Sequence, residues 1–162
     1  MSATDNSDER KIVTFTLGEQ MFGIDMRALI EIREWEEPTP LPSVASYIKG
    51  VTNLRGSVVP VVGLAERLGW EPSRIHSRSC ILVVSIGGRQ AGFLVDEVAD
   101  IVAINGGDIQ PAPEVEMVEA SMIAGLVKIE RRAAEAEDAE TMVLLLDLDA
   151  LGLTRVGLDI AA

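Results

Sequence analysis

The chain has 162 residues, enough for one domain or for two small halves that share a core. Acidic residues outnumber basic ones, 26 to 14, and the net charge of −12 sets the chain against nucleic-acid backbones and acidic membrane surfaces. Hydrophobic residues make up 48% and aromatic ones only 4%, so the core is aliphatic; no apolar run reaches spanning length, and the single cysteine, Cys80, excludes an internal disulfide.

Residues 1–10 are polar throughout and read as a disordered tail, not a secretory signal. Val13, Phe15 and Leu17 alternate with Thr14 and Thr16, the period of a half-buried strand. Gly18-Glu19-Gln20 turns the chain, and residues 21–24 return as its hairpin partner. Residues 27–30 fit a helical turn. Ile30 and Ile32 then alternate with Glu31 and Arg33, which predicts a third strand. Residues 36–42 hold three prolines in five positions and are expected to stay out of any sheet.

The stretch YIKGVTNLRGSVVPVVGL, residues 47–64, organises this half. Residues 47–50 read as a helical turn closed by glycine, and residues 51–54 as a short apolar strand. Arg55-Gly56 is a turn signal, and the β-branched run 57–62 is a strand. Residues 64–68 fit a short helix stopped by Gly69.

The pattern then starts again. Residues 80–86 are a strand covered on both faces, Gly87-Gly88 turns it, and residues 90–95 return. Residues 98–104 form another strand, residues 106–113 a loop, and residues 123–129 and 141–146 the last two strands. A short helix follows at 147–151. Gly18 and Gly23 are spaced as Gly87 and Gly92 are, and Ile48-Lys49-Gly50 is echoed by Ile123-Ala124-Gly125. The fold class is therefore mainly β. Two five-stranded barrel units, about 11–69 and 79–153, should pack through a shared aliphatic core, since each is too small to be secure alone. The acidic insert 130–140 reads as a solvated helix or loop between two strands.

Reactive chemistry is sparse. One histidine, His76, lies in a loop-like stretch, and one cysteine lies in a strand, so neither a transition-metal site nor a nucleophilic dyad is indicated. Gly87–Gly92 joins strand to strand and is no dinucleotide fingerprint. No cofactor is expected, and a binding module is favoured over an enzyme. Arg55 is either an interaction residue or a strut paired with a carboxylate such as Glu31. Met26, Leu29 and Val98 either fill the core or line a groove for a partner helix.

The segments FTLGEQMFGIDM, EIRE, YIKGVTNLRG, GFLVDEVADIV and IQPAPE together resemble the CheW-like family of bacterial chemotaxis coupling proteins, over residues 12–153. The resemblance implies two SH3-like five-stranded barrels. It also implies a cytoplasmic, non-enzymatic adaptor between the tip of methyl-accepting chemoreceptors and the regulatory domain of the histidine kinase CheA, without membrane insertion. Carried over by position, the receptor site falls on Met26, Leu29, Glu31, Arg55 and Val98. The kinase contact falls on Leu41, Lys49, Gly50 and Val51, and a ring-completing contact on Gln110 and Val115. Gly63 stands where the family usually has aspartate, while Asp147 keeps it in the second copy. Gln110 and Val115 replace the arginine and aromatic expected there, and the 130–140 insert is longer than expected. The fusion to a receiver domain seen in CheV, and a fragment of CheA, are both disfavoured. Other readings are a scaffold for a non-chemotactic kinase pathway and a small-ligand barrel.

Overall fold

A computed structural model describes residues 9–111, 122–130 and 140–151. Ten strands dominate it. The first half carries β1 (Glu9–Leu17), β2 (Gln20–Asp25), β3 (Leu29–Glu34), β4 (Ile48–Leu54) and β5 (Ser57–Gly63), then the helix α1 (Leu64–Arg67). The second carries β6 (Cys80–Ile86), β7 (Arg89–Val95), β8 (Glu97–Asn105), β9 (Ile123–Glu130) and β10 (Glu140–Leu146). Single 3-10 turns lie at Met26–Ala28, Gly106–Asp108 and Asp149–Leu151.

The strands form two five-stranded sheets, ordered β8-β1-β2-β10-β9 and β3-β6-β7-β5-β4. These orders are the same once β1–β5 are matched with β6–β10, so the duplication read from the sequence is a duplication in space. The matching also corrects the expected boundaries. The contiguous halves 11–69 and 79–153 do not each complete a sheet. The hairpin β1–β2 joins β8, β9 and β10, and the hairpin β6–β7 joins β3, β4 and β5. The 3-10 turn at Met26–Ala28 makes the first crossing: Asp25 caps it by accepting the Arg27 N–H, and the chain leaves β2 in one sheet to enter β3 in the other.

Alternation explains the packing. Val13, Phe15 and Leu17 point one way from β1, into a core built from both sheets that also holds Phe22, Leu82, Phe93 and Leu146. All three phenylalanines of the chain lie there, fully buried, and Phe15 stacks on Phe22 with centroids 6.1 Å apart. Ile12 points the other way, into a smaller cluster with Ile104 of β8 and Ile129 of β9. Those two strands are opposite edges of their sheet, so the sheet curls upon itself without hydrogen-bonded closure. Leu54, Val59, Val61, Ile81 and Val83 fill the matching cluster of the second sheet. Buried Thr14 spans an irregularity between β1 and β8: its hydroxyl donates to the Asp100 carbonyl and accepts from the Asp100 N–H, both at 3.0 Å.

Three local expectations change. β1 begins at Glu9, inside the expected tail, because Glu9 and Arg10 pair with Asn105 and Ile104. Residues 48–50 are strand, not helical turn, and Lys49 is the unmatched residue of a bulge: Ile48 faces Val62, then Gly50 faces Val61. The proline loop does pair. Thr39 keeps its own N–H between Pro38 and Pro40 and exchanges two 2.8 Å hydrogen bonds with Val51. That approach requires Gly50, at φ 147°, where a Cβ would collide with the Thr39 carbonyl. The second copy repeats the device: Gln110 exchanges two 2.8 Å bonds with Leu126, and a Cβ on Gly125 would come within 2.9 Å of the Gln110 carbonyl. Val115, residues 1–8 and positions 131–139 of the insert lie outside the described residues.

Candidate functional site

Arg55 and Gly56 are the two central residues of the β4–β5 hairpin, both with positive φ, 53° and 86°. Such a turn matches the right-handed twist of the flanking strands. The Asn53 side chain supports it by accepting the Gly56 N–H at 2.9 Å. A non-glycine residue in the left-handed region costs about 1 kcal/mol or more, so arginine here is held against its backbone preference. Its guanidinium reaches Glu31 on β3 at 2.5 Å. Arg33 meets the other Glu31 oxygen at 3.1 Å. The two guanidinium hydrogen bonds, that of Arg55 first, hold the Glu31 carboxyl below its ordinary range. Glu31 is largely covered, at 18% side-chain exposure, whereas Arg55 stays 73% exposed. The strut anticipated for Arg55 is therefore present, and it leaves most of the guanidinium facing solvent.

Leu29 and Val98 occupy equivalent positions of the two copies. Leu29 lies opposite Val84 on β6, and Val98 opposite Phe15 on β1. Both are half-buried and pack on the shared core from its margin, one from each sheet. Met26 is half-buried in the 3-10 turn just before β3. Glu31 and Arg55 touch, but both belong to the second sheet; Val98 belongs to the first.

The candidates for the kinase contact gather on the β4 edge. Gly50 is buried beneath Thr39, Val51 is half-buried and bonded to it, and half-buried Leu41 follows in the same loop. Gln110, exposed, sits where Thr39 sits in the other copy. The expected kinase and ring contacts are thus the same structural device in two copies.

Two features escaped the sequence reading. Lys49 pairs with Glu66 of α1. Arg67 donates from Nε and Nη2 to the Leu151 carbonyl, at 3.0 and 2.5 Å, and lies 5.3 Å from the Tyr47 ring centroid. It ties α1 to the turn after β10. Nothing in the sequence pattern marks either Glu66 or Arg67, since only the register shows the bulge that aims Lys49 at α1.

Groups with reactive potential are differently placed. His76 is exposed, and its Nδ1 accepts the Arg78 N–H at 3.1 Å. Burial pushes the Cys80 thiol up, away from the thiolate, and its Sγ donates to the Arg78 carbonyl. Among the described residues no three His, Cys, Asp or Glu side chains are arranged to hold a metal ion, and no helix is long and apolar enough to cross a membrane. A cleft of about 440 Å³ at the ends of β2 and β10 contains Asp25, Asp147 and Asp149. Two of these acids are engaged locally. The Arg27 guanidinium holds Asp25 below the usual carboxylate range, and Asp147 accepts the Ala150 N–H at 3.2 Å.

Two curled, pseudo-equivalent sheets with matched edge devices define a two-lobed, internally duplicated β domain. The CheW-like domain model matches residues 11–153, and the chain belongs to that family. It is 35% identical to the probable chemotaxis protein CheW of Rhizobium etli, over 90% of this chain and 89% of the relative. It is 36% identical to the chemotaxis protein CheW of Rhizobium meliloti, over 88% and 86%. Among solved structures, the scaffolding protein TtCheW from Thermoanaerobacter tengcongensis superposes with a TM-score of 0.76 at 30% identity, covering 88% of this chain and 86% of that one.

Proposed function

We propose that this protein is a non-enzymatic adaptor of chemotaxis, coupling the cytoplasmic tip of chemoreceptors to the histidine kinase CheA at arrays on the inner face of the membrane. The family match over nearly the whole chain carries this reading. Local support comes from Arg55, an exposed guanidinium fixed by Glu31 on a turn of left-handed backbone. Backbone strain at a defined exposed residue is a common mark of an interaction site.

In this reading a receptor helix docks at the margin of the shared core, against Met26, Leu29 and Val98, with Arg55 and Glu31 alongside. The kinase regulatory domain engages the β4 edge at Leu41, Lys49, Gly50 and Val51. Gln110, with Val115, offers the equivalent edge of the other lobe to a ring neighbour. No covalent step is needed. Receptor state changes the kinase through differential contact across lobes that share one core. Small, partly apolar contacts of this kind are individually weak to moderate, and array geometry multiplies them.

The test is a binding assay with purified CheA regulatory domain and a soluble receptor-tip fragment. Saturable binding of both is expected, and both together should form a ternary complex. Failure with both would favour the small-ligand barrel.

A further inference from the structure

The two copies differ at one three-residue constellation. In the second lobe the bulge residue is Ala124, the residue after the last strand is Asp147, and the residue three beyond is Ala150. Asp147 caps its turn by accepting the Ala150 N–H. In the first lobe the equivalent residues are Lys49, Gly63, which closes β5, and Glu66. Gly63 offers α1 no side-chain cap. The space its side chain would need is filled: a Cβ on Gly63 would lie 2.7 Å from Glu66 Oε1 and 3.0 Å from Lys49 Cε. The bulge turns Lys49 toward α1, where its ammonium meets Glu66, and the two side chains are only 29% and 13% exposed. A lysine on an edge strand ordinarily presents its charge to whatever approaches. This one is neutralised by its own lobe.

We propose that Glu66, given room by the missing side chain at Gly63, masks the Lys49 charge, so that the β4 edge is read by a neutral, aliphatic partner surface with no carboxylate opposite Lys49. The inference rests on the assignment of this edge to the kinase regulatory domain. Glu66 and Gly63 are then positioning residues: they set which chemistry the edge accepts without touching the partner. A Lys49 freed from Glu66 would favour an acidic partner and add a salt-dependent term to binding.

Two measurements test it separately. The first is acetylation by an N-hydroxysuccinimide ester, followed by mass spectrometry at Lys11, Lys49 and Lys128, the three lysines of the chain. Lys11 and Lys128 are exposed and serve as internal standards. Lys49 should react several-fold more slowly than either. Glu66→Gln and Gly63→Ala should each raise its rate several-fold while leaving the standards unchanged. Gly63 has φ −74°, so alanine fits the backbone, and what must yield are two side chains, Glu66 most and Lys49 by a few tenths of an ångström. Lys49 reacting like Lys11 in the unaltered protein would overturn the mask. The second is affinity for the CheA regulatory domain. Glu66→Gln, which frees the Lys49 charge, should weaken binding by about tenfold and make it salt-dependent, whereas unchanged or tighter binding would mean that the partner accepts the free charge and would overturn the proposal. A protected Lys49 in a protein that binds no kinase domain would support the mask and retire the adaptor assignment instead.

Discussion

At the scale of single residues, Arg55 and Glu31 carry the sharpest expectations. Exposed ion pairs add little to stability, so Arg55→Ala should move Tm by no more than about 4 °C in a chain of this size. Receptor-fragment affinity should fall by about tenfold or more, as for an interface arginine. Calorimetry and binding on one preparation separate the outcomes: a collapsed melting transition with intact binding per folded molecule would leave Arg55 a strut alone. Glu31 has a pH signature. Its folded-state carboxyl lies below the ordinary 4.5, so the native state binds fewer protons than the unfolded one as pH falls. Its contribution is complete above that value and is lost as pH drops through the lower, folded one. Denaturation between pH 7 and 3 should therefore show a shallower acid loss in Glu31→Gln than in the unaltered protein; parallel curves would contradict the pairing. The partner choice for Arg55 was legible because Arg-Gly between two β runs marks a hairpin turn and Glu31 alternates on the strand that precedes β4 in the chain, although β3 and β4 prove to be opposite edges of the curled sheet. The Lys49–Glu66 pair was not, because a bulge changes where a side chain points without changing the apolar pattern.

At the scale of elements, every strand predicted from alternation exists. Strict period-2 burial holds in β3, while β1, β2, β6 and β7 are buried on both faces through their middles because each sheet curls over its own inner face. The failures cluster around Gly50, where strand, bulge and loop meet. Proline forbids donation only from its own nitrogen, so Thr39 remained free to pair between two prolines. The glycine that read as a helical stop is there to let that loop touch β4. Gly50→Ala would force the Thr39 carbonyl away and demand a φ that alanine avoids. It should destabilise the protein by about 2 kcal/mol or more, seen in denaturant titration, and speed hydrogen exchange at the Val51 amide. Unchanged protection at Val51 would show that the bridge does not depend on the glycine.

At the scale of the whole molecule, the sheets draw on both halves of the sequence. Hydrophobic periodicity says which face of a strand is buried and not which sheet the strand enters, so the duplication was readable and the hairpin exchange was not. The exchange has a direct test. A cut between residues 69 and 79 leaves each fragment three strands of one sheet and a hairpin of the other. Neither fragment should show native dispersion alone by NMR, and the two co-expressed should form a stoichiometric folded complex. A fragment that folds by itself would refute the pairing.

A gene encoding one such unit would specify a chain unable to complete its own sheet, and two identical copies would complete each other by trading hairpins. That assembly would be an obligate symmetric pair with two indistinguishable edges. Joining the copies in one polypeptide breaks the equivalence. One edge can then take lysine, glycine and glutamate while the other keeps alanine and aspartate, so that a single molecule presents two unlike edges.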